Sequence, residues 1–386
     1  MTPPGRPLRV LLCPDKFKGT LTATEVAALI AEGLDDSPGG RERFVVRSVP
    51  VADGGEGTVD AVIAEGGRTS RSSAPGADGL PVEATWALQG ERAVVEVAAT
   101  CGLRDVEPTP RSALDSRTDG TGVLMRAALD AGVHELLVGI GGTASTDGGT
   151  GALRGLGCVF LDEAGSPVVG GGRDLVRIRH VDVSGLDPRL AGVRVVLGCD
   201  VSIPLCGPGG AAQVFAPQKG ADAAAVQLLA DGLENLADVL VADLGVDVRS
   251  LAWGGAGGGI GAGLHAVLGA RFVSGIELVA DVVGLDGHLA DADVVVVGEG
   301  SLDEQSFLGK AVSGVARRAA AHGVRVVAVA GQVTLPPEVL AANGIEHAVS
   351  VARLAGSPQA AMADPRRWVR AAGRELGGWL AAKGLA

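Results

Sequence analysis

The sequence predicts two α/β domains, one built on a doubly wound parallel sheet and the other inserted into it. Three observations carry this. Residues 8–65 alternate strand and helix, the same alternation returns from Asp293 onward, and the stretch between is irregular and dense in Gly-rich loops.

Leu8-Arg-Val-Leu-Leu-Cys13 reads as a buried strand, left through the loop Pro14-Asp-Lys-Phe-Lys-Gly19. Thr22-Ala-Thr-Glu25 is a capping box, which starts a helix running to Leu34. Phe44–Val49 is a second strand, ending in Val51-Ala-Asp-Gly-Gly-Glu-Gly-Thr58, and a helix to Glu65 follows. From Asp293 the chain offers strand Val294–Gly298, a helix over about 306–322 and strand Val324–Ala330. Helix Pro337–Asn343, strand Ala348–Val351 and helix Pro365–Lys383 complete it. Five strands and five helices are the inventory of a flavodoxin-like doubly wound parallel sheet of order 2-1-3-4-5, with a second α/β domain inserted between strands 2 and 3. The expected boundaries are 1–66 and 290–386 for the flavodoxin-like domain and 67–289 for the insert. Within the insert, strands Val82–Leu88 and Ala93–Val97 and helices Gly122–Ala131 and Ala221–Leu244 are the legible pieces.

Composition narrows the function. A net charge of −12 argues against nucleic acid or anionic membranes as partners. No stretch approaches the roughly 18 apolar residues of a membrane span, and Met1–Pro7 runs straight into a strand without the pattern of a signal peptide. Five cysteines without CxxC spacing predict a reducing, cytoplasmic setting. Six histidines, no two at a ligand spacing, argue against zinc. Only five of the 33 basic residues are Lys, and four of them (Lys16, Lys18, Lys219, Lys310) lie in Gly- or Pro-punctuated loops beside polar motif residues. A compact ammonium suits pairing with a phosphoryl oxygen.

The chemistry is expected in the loops. Val138-Gly-Ile-Gly-Gly-Thr-Ala-Ser-Thr-Asp-Gly-Gly-Thr-Gly151 holds six glycines and four hydroxyls after an apolar strand, a nest of donors suited to phosphate or carboxylate. It imitates a dinucleotide fingerprint, with Asp162 ending a second strand, but only Ala152–Leu156 is left for the required helix. Gly309-Lys310 fails as a P-loop, having Glu304 and Ala311 at defining positions. Ligands of open α/β sheets bind beyond the strand carboxyl ends. There the first strand carries Asp15, Lys16 and Lys18; the second, Asp53 and Glu56; the third, Glu299 and Asp303; the fourth, Gly331-Gln332. The insert adds Gly198-Cys-Asp200, Ala216-Pro-Gln-Lys219 and Gly254–Gly261, the last read as backbone approaching a ligand or the other domain, or as helix packing.

Taken together, Pro14-Asp-Lys-Phe-Lys-Gly-Thr-Leu-Thr-Ala23, Pro50-Val-Ala-Asp-Gly-Gly-Glu-Gly-Thr58 and Gly139–Gly149 closely resemble the type I glycerate kinase family. Cys199-Asp-Val-x-x-Pro-Leu205, Phe215-Ala-Pro-Gln-Lys-Gly220 and Gly298-Glu-Gly-x-Leu-Asp-x-Gln305 extend the resemblance over the whole chain in order. It implies transfer of the γ-phosphoryl group of ATP to a hydroxyl of D-glycerate, with Mg²⁺, in the cleft between the two domains. Carried onto this sequence, it makes Asp200 the catalytic carboxylate, with Lys18 and Lys219 as catalytic cations. Asp15, Asp53, Glu56, Gly141, Gly142, Thr143, Ser145 and Asp147 become substrate or phosphate binders, and Glu299 and Asp303 metal ligands. D-glycerate and ATP are then the partners, and a homodimer is the assembly to look for. Lys16, Thr143, Thr146 and Ser202-Ile203 depart from the family pattern; Thr146 and Ser202-Ile203 bear on substrate fit. An NAD-dependent oxidoreductase acting on a small hydroxy acid is the alternative.

Overall fold

The computed structural model describes residues 6–307 and 309–383. The chain divides into two units: Met1–Asp53, Asp60–Glu65 and Ile276–Ala386 form the first, and Gly54–Val59 with Gly66–Gly275 the second.

The first unit holds a five-stranded, all-parallel sheet. From one edge to the other its strands are Ile345–Ser350, Arg325–Val333, Val294–Leu302, Leu8–Pro14 and Phe44–Ser48. The near-continuous apolar runs explain this arrangement, since strands of a parallel sheet are covered on both faces. Val294 to Val297 are all buried, as are Leu11 and Leu12. Helix Ala23–Asp35 opens with the expected capping box: Thr22 Oγ1 accepts from the Glu25 amide at 3.2 Å, and Glu25 Oε2 accepts from the Thr22 amide at 3.0 Å. One helix starts later than the sequence pattern indicates. Glu304–Phe307 forms a 3₁₀ turn, and the α-helix begins only at Ala311. Asp303 is the cause, because its amide donates to Ser306 Oγ at 2.9 Å while its Oδ1 accepts from the Gln305 amide at 2.9 Å.

The second unit has a six-stranded mixed sheet ordered Arg271–Val273, Arg194–Gly198, Glu135–Gly139, Arg92–Glu96, Pro81–Gln89, Arg68–Pro75. Neighbours among the first four are parallel, and the last two add antiparallel. A two-stranded pair, Val159–Leu161 with His180–Asp182, stands apart. The core gathers Leu136, Val138 and Ile140 with Leu124, Met125, Leu229 and Leu233. The long helix Ala223–Leu244 is capped by Asp222, whose Oδ1 accepts from the Ala225 amide at 2.8 Å.

Two segments fall outside the boundaries drawn from sequence. Ile276–Leu289 belongs with the first unit: Ile276 lies against Gly314, and Arg317 donates to Glu277 Oε1 at 2.5 Å. Gly54–Val59 belongs with the second, because the Gly57 and Val59 amides donate to Glu96. No helix among the described residues is long and apolar enough to cross a membrane.

Candidate active site

At the carboxyl edge of the five-stranded sheet Pro14 is in register with Gly298, and the Asp15 amide donates to the Gly298 carbonyl at 2.8 Å. The chain then turns away from the strand, so Asp15, Lys16 and Lys18 come to line one cavity with Asp53, Glu299, Ser301, Asp303, Lys310 and Gln332. Its volume is about 390 Å³. Of the residues expected at the strand ends, Asp15, Lys16, Lys18, Asp53, Glu299, Asp303, Gly331 and Gln332 are thus brought together, and Glu56 is not among them. Lys310, one of the four loop lysines, joins them although it lies in no P-loop.

The electrostatics of this cavity call for cations. Burial, reinforced by the Asp53 charge, pushes Asp15 up to about 7, against the opposing pull of Lys16 and its amide. Lys16 Nζ also sits 3.9 Å from Asp53 Oδ1. Burial likewise raises Glu299 to about 6, although a hydrogen bond from Ser306 and the charge of Lys310 work the other way. One carboxylate oxygen, Glu299 Oε1, is buried with no hydrogen-bond partner among the described residues. A hard cation satisfies such an oxygen. Among the described residues no three His, Cys, Asp or Glu side chains form a complete metal cage. Asp303 commits its Oδ1 to the Gln305 amide and its Oδ2 to Ser301 Oγ at 3.1 Å. It shapes the loop, so of the two carboxylates Glu299 is the one that could hold a cation.

In the second unit the Gly139–Gly151 loop differs from the open donor nest expected. Thr143, Ser145, Thr146 and Asp147 are buried, and only Gly142 is exposed, with Gly141 half-buried. Asp147 faces inward: its Oδ2 accepts from the Thr118 amide and hydroxyl at 2.9 and 2.8 Å, and its Oδ1 from the Gly149 amide at 3.1 Å. Thr143 and Ser145 bond each other at 3.0 Å. Lys219 is buried as well, its Nζ donating to the Ser145 carbonyl and, at 3.4 Å, to Thr146 Oγ1. Burial lowers Lys219 to about 8, opposed by Cys101 and Asp147. These groups fix the loop's shape from within. Thr146 is part of this interior, its Oγ1 taken up by Lys219. The Gly254–Gly261 stretch packs against the same loop: a Cβ on Gly258, at φ +68°, would lie 2.0 Å from the Ser145 carbonyl. Any side chain there would displace the loop.

The carboxyl edge of the second sheet carries Asp200, half-buried after strand Arg194–Gly198, with Oδ1 accepting from the Gly275 amide at 2.7 Å. Glu56 forms an ion pair with Arg104. Glu96, unremarked in the sequence, ends strand Arg92–Glu96 and accepts from the Gly57 and Val59 amides at 3.1 and 2.8 Å. It thereby holds the loop that follows Asp53. The signal was present: like Asp200, it is an acid closing an apolar strand.

The model of the glycerate kinase family matches residues 10–381. The chain belongs to the glycerate kinase family. It is 40% identical over 347 residues to the glycerate kinase of Bacillus subtilis (strain 168), covering 89% of this chain and 90% of that one. To the glycerate 2-kinase of Escherichia coli (strain K12) it is 40% identical over 350 residues, with the same coverage. A crystal structure assigned to glycerate kinase 2 of Salmonella typhimurium LT2 superposes with a TM-score of 0.85 at 37% identity, spanning 99% of this chain and all of the other.

Membership of a kinase family fits the first unit's cavity, where three ammonium groups and several carboxylates surround one space. Phosphoryl transfer needs that pairing of cations with metal-binding oxygens. The oxidoreductase alternative falls away with it. The helix after the glycines, Thr150–Gly155, is too short for a dinucleotide fold, and the family matched is one of glycerate kinases.

Proposed function

We propose that the protein transfers the γ-phosphoryl group of ATP to a hydroxyl of D-glycerate. The observation that carries this reading is the cavity in which Lys16, Lys18 and Lys310 stand with Asp15, Asp53 and Glu299. The family match and the relatives named glycerate kinase support it from a separate direction.

In this reading Asp200 takes the proton of the attacking hydroxyl, held in position by the Gly275 amide. Lys18, exposed in its loop, offsets negative charge on the phosphoryl oxygens. Lys219 acts at one remove by holding Ser145 and Thr146, while the Gly141 and Gly142 amides meet an anionic group of a substrate. Glu299, with Asp303 shaping its loop and Asp15 and Asp53 beside it, would hold Mg²⁺. When bound, that ion neutralises charge on the phosphates. We further read the first unit as a flavodoxin-like domain, supported by its sheet order, with the second unit as an insert, and the cytoplasm as the setting, supported by five free thiols.

The test is phosphorus NMR of the product formed from Mg-ATP and D-glycerate. A new phosphomonoester signal coupled to glycerate protons is expected, and its position fixes which hydroxyl reacts. ATP consumed without such a signal would overturn the assignment.

A further inference from the structure

The cavity of the first unit has two unlike ends. Along the sheet edge the charged groups follow strands Phe44–Ser48 and Leu8–Pro14, lie on Val294–Leu302 or follow it. Gly331 and Gln332 come next, at the end of Arg325–Val333. Beyond the last strand, Ile345–Ser350, the wall becomes aliphatic: Val351, Pro358, Ala361, Met362, Pro365 and Val369. Three consecutive helices, Val351–Ala355, Pro358–Ala363 and Pro365–Ala382, supply this wall. Met362 is 61% exposed, a large apolar side chain kept beside a cavity rather than folded into the core. From the strand that ends just before Asp15 to the strand before Val351 is three inter-strand steps, roughly 14 Å.

We propose that this cavity is the nucleotide site. The base and ribose lie against the Val351–Ala361–Met362–Pro365 wall, and the phosphates run toward Lys16, Lys18 and Lys310. The proposal rests on the phosphotransfer reading and adds which unit binds which half of the reaction. Glycerate, a three-carbon hydroxy acid, has no apolar face to cover such a wall. A base does, and burying apolar surface is the term that favours it. The second unit offers a larger groove, about 1070 Å³, but a polyanion is poorly matched to it. Asp78, Glu83, Asp105, Glu107, Asp115 and Asp174 line that groove. Its arginines are already paired: Arg104 with Glu56, Arg111 with Asp115 at 3.5 Å, Arg117 with Asp119 at 3.5 Å. The first unit's cavity sets three lysines beside its carboxylates, the pairing of ammonium groups with cation-binding oxygens that a metal-bound nucleoside triphosphate requires.

The two ends can be tested separately on the full chain. Adenosine and inorganic tripolyphosphate serve as probes in titration calorimetry, beside steady-state kinetics. Met362→Glu, at an exposed position that tolerates the change, is expected to weaken adenosine about tenfold or more and to raise KM for ATP comparably. Tripolyphosphate binding and KM for glycerate should move far less. Lys18→Ala is expected to do the reverse, weakening tripolyphosphate and sparing adenosine. Unchanged adenosine binding in Met362→Glu, or a rise confined to the glycerate KM, overturns the proposal. Adenosine binding is read without turnover. A wild type that binds adenosine at this wall yet phosphorylates no glycerate would overturn the acceptor and keep the nucleotide site.

Discussion

Asp200 Oδ1 accepts a 2.7 Å hydrogen bond from the Gly275 amide, so the carboxylate's position depends on an oxygen that an amide side chain also has. Asp200→Asn keeps an acceptor for Gly275 and loses the ability to take a proton. Turnover should fall by roughly 10² to 10⁴ with the melting temperature nearly unchanged. A variant with near-normal kcat would remove Asp200 from the chemistry, and one that melts early would give it a structural role instead.

Glu96 accepts from two backbone amides of the loop that follows Asp53 and is itself only 8% exposed. Truncation to Ala leaves buried donors unpaired, which costs about 1 to 3 kcal/mol. Gln retains one acceptor oxygen and should cost less. Urea unfolding of both variants checks the order; equal stability in Glu96→Ala and wild type would contradict it.

Much of this was legible in the sequence because apolar runs and caps are local. Val294 to Val297 could only be a buried strand, and Thr22 with Glu25 fixed a helix start. The carboxylates at strand ends were legible for the same reason, as polar residues closing apolar runs. Other features depended on contacts far apart in sequence. Strand Arg68–Pro75 is mostly polar, since it forms the exposed edge of its sheet. The inward turn of Asp147 depends on Thr118, 29 residues away, and the burial of Lys219 on a carbonyl 74 residues away. Hydroxyls and glycines in one loop advertise a donor nest equally well whether the donors face solvent or one another.

Lys219 makes a pH-dependent contribution of definite sign. Its value is about 8 folded against 10.5 as the ordinary value, so between those limits the unfolded chain holds more protons on this side chain. Stability contributed by this group therefore rises with pH across that window. Compared with Lys219→Met, the wild type should gain stability as pH rises from 8 to 10.5, with a flat difference below pH 8. Denaturant titrations at stepped pH measure this, and a difference that falls across the window would contradict it.

Glu299 carries the buried Oε1 that suits a hard cation. Glu299→Gln keeps the shape and removes the charge, so the Mg²⁺ concentration giving half-maximal rate should rise at least about tenfold. Asp303→Asn, in a loop stapled by its own hydrogen bonds, should shift it less. Mg²⁺ titrations at fixed ATP distinguish the two; an unaltered profile in Glu299→Gln would exclude it as a ligand.

The most direct test of the central claim is the initial rate of ADP release from Mg-ATP with D-glycerate, L-glycerate, glycerol or no acceptor. The rate should depend strongly on D-glycerate and stay near the acceptor-free background with glycerol. Equal rates in all four tubes from folded protein would contradict it.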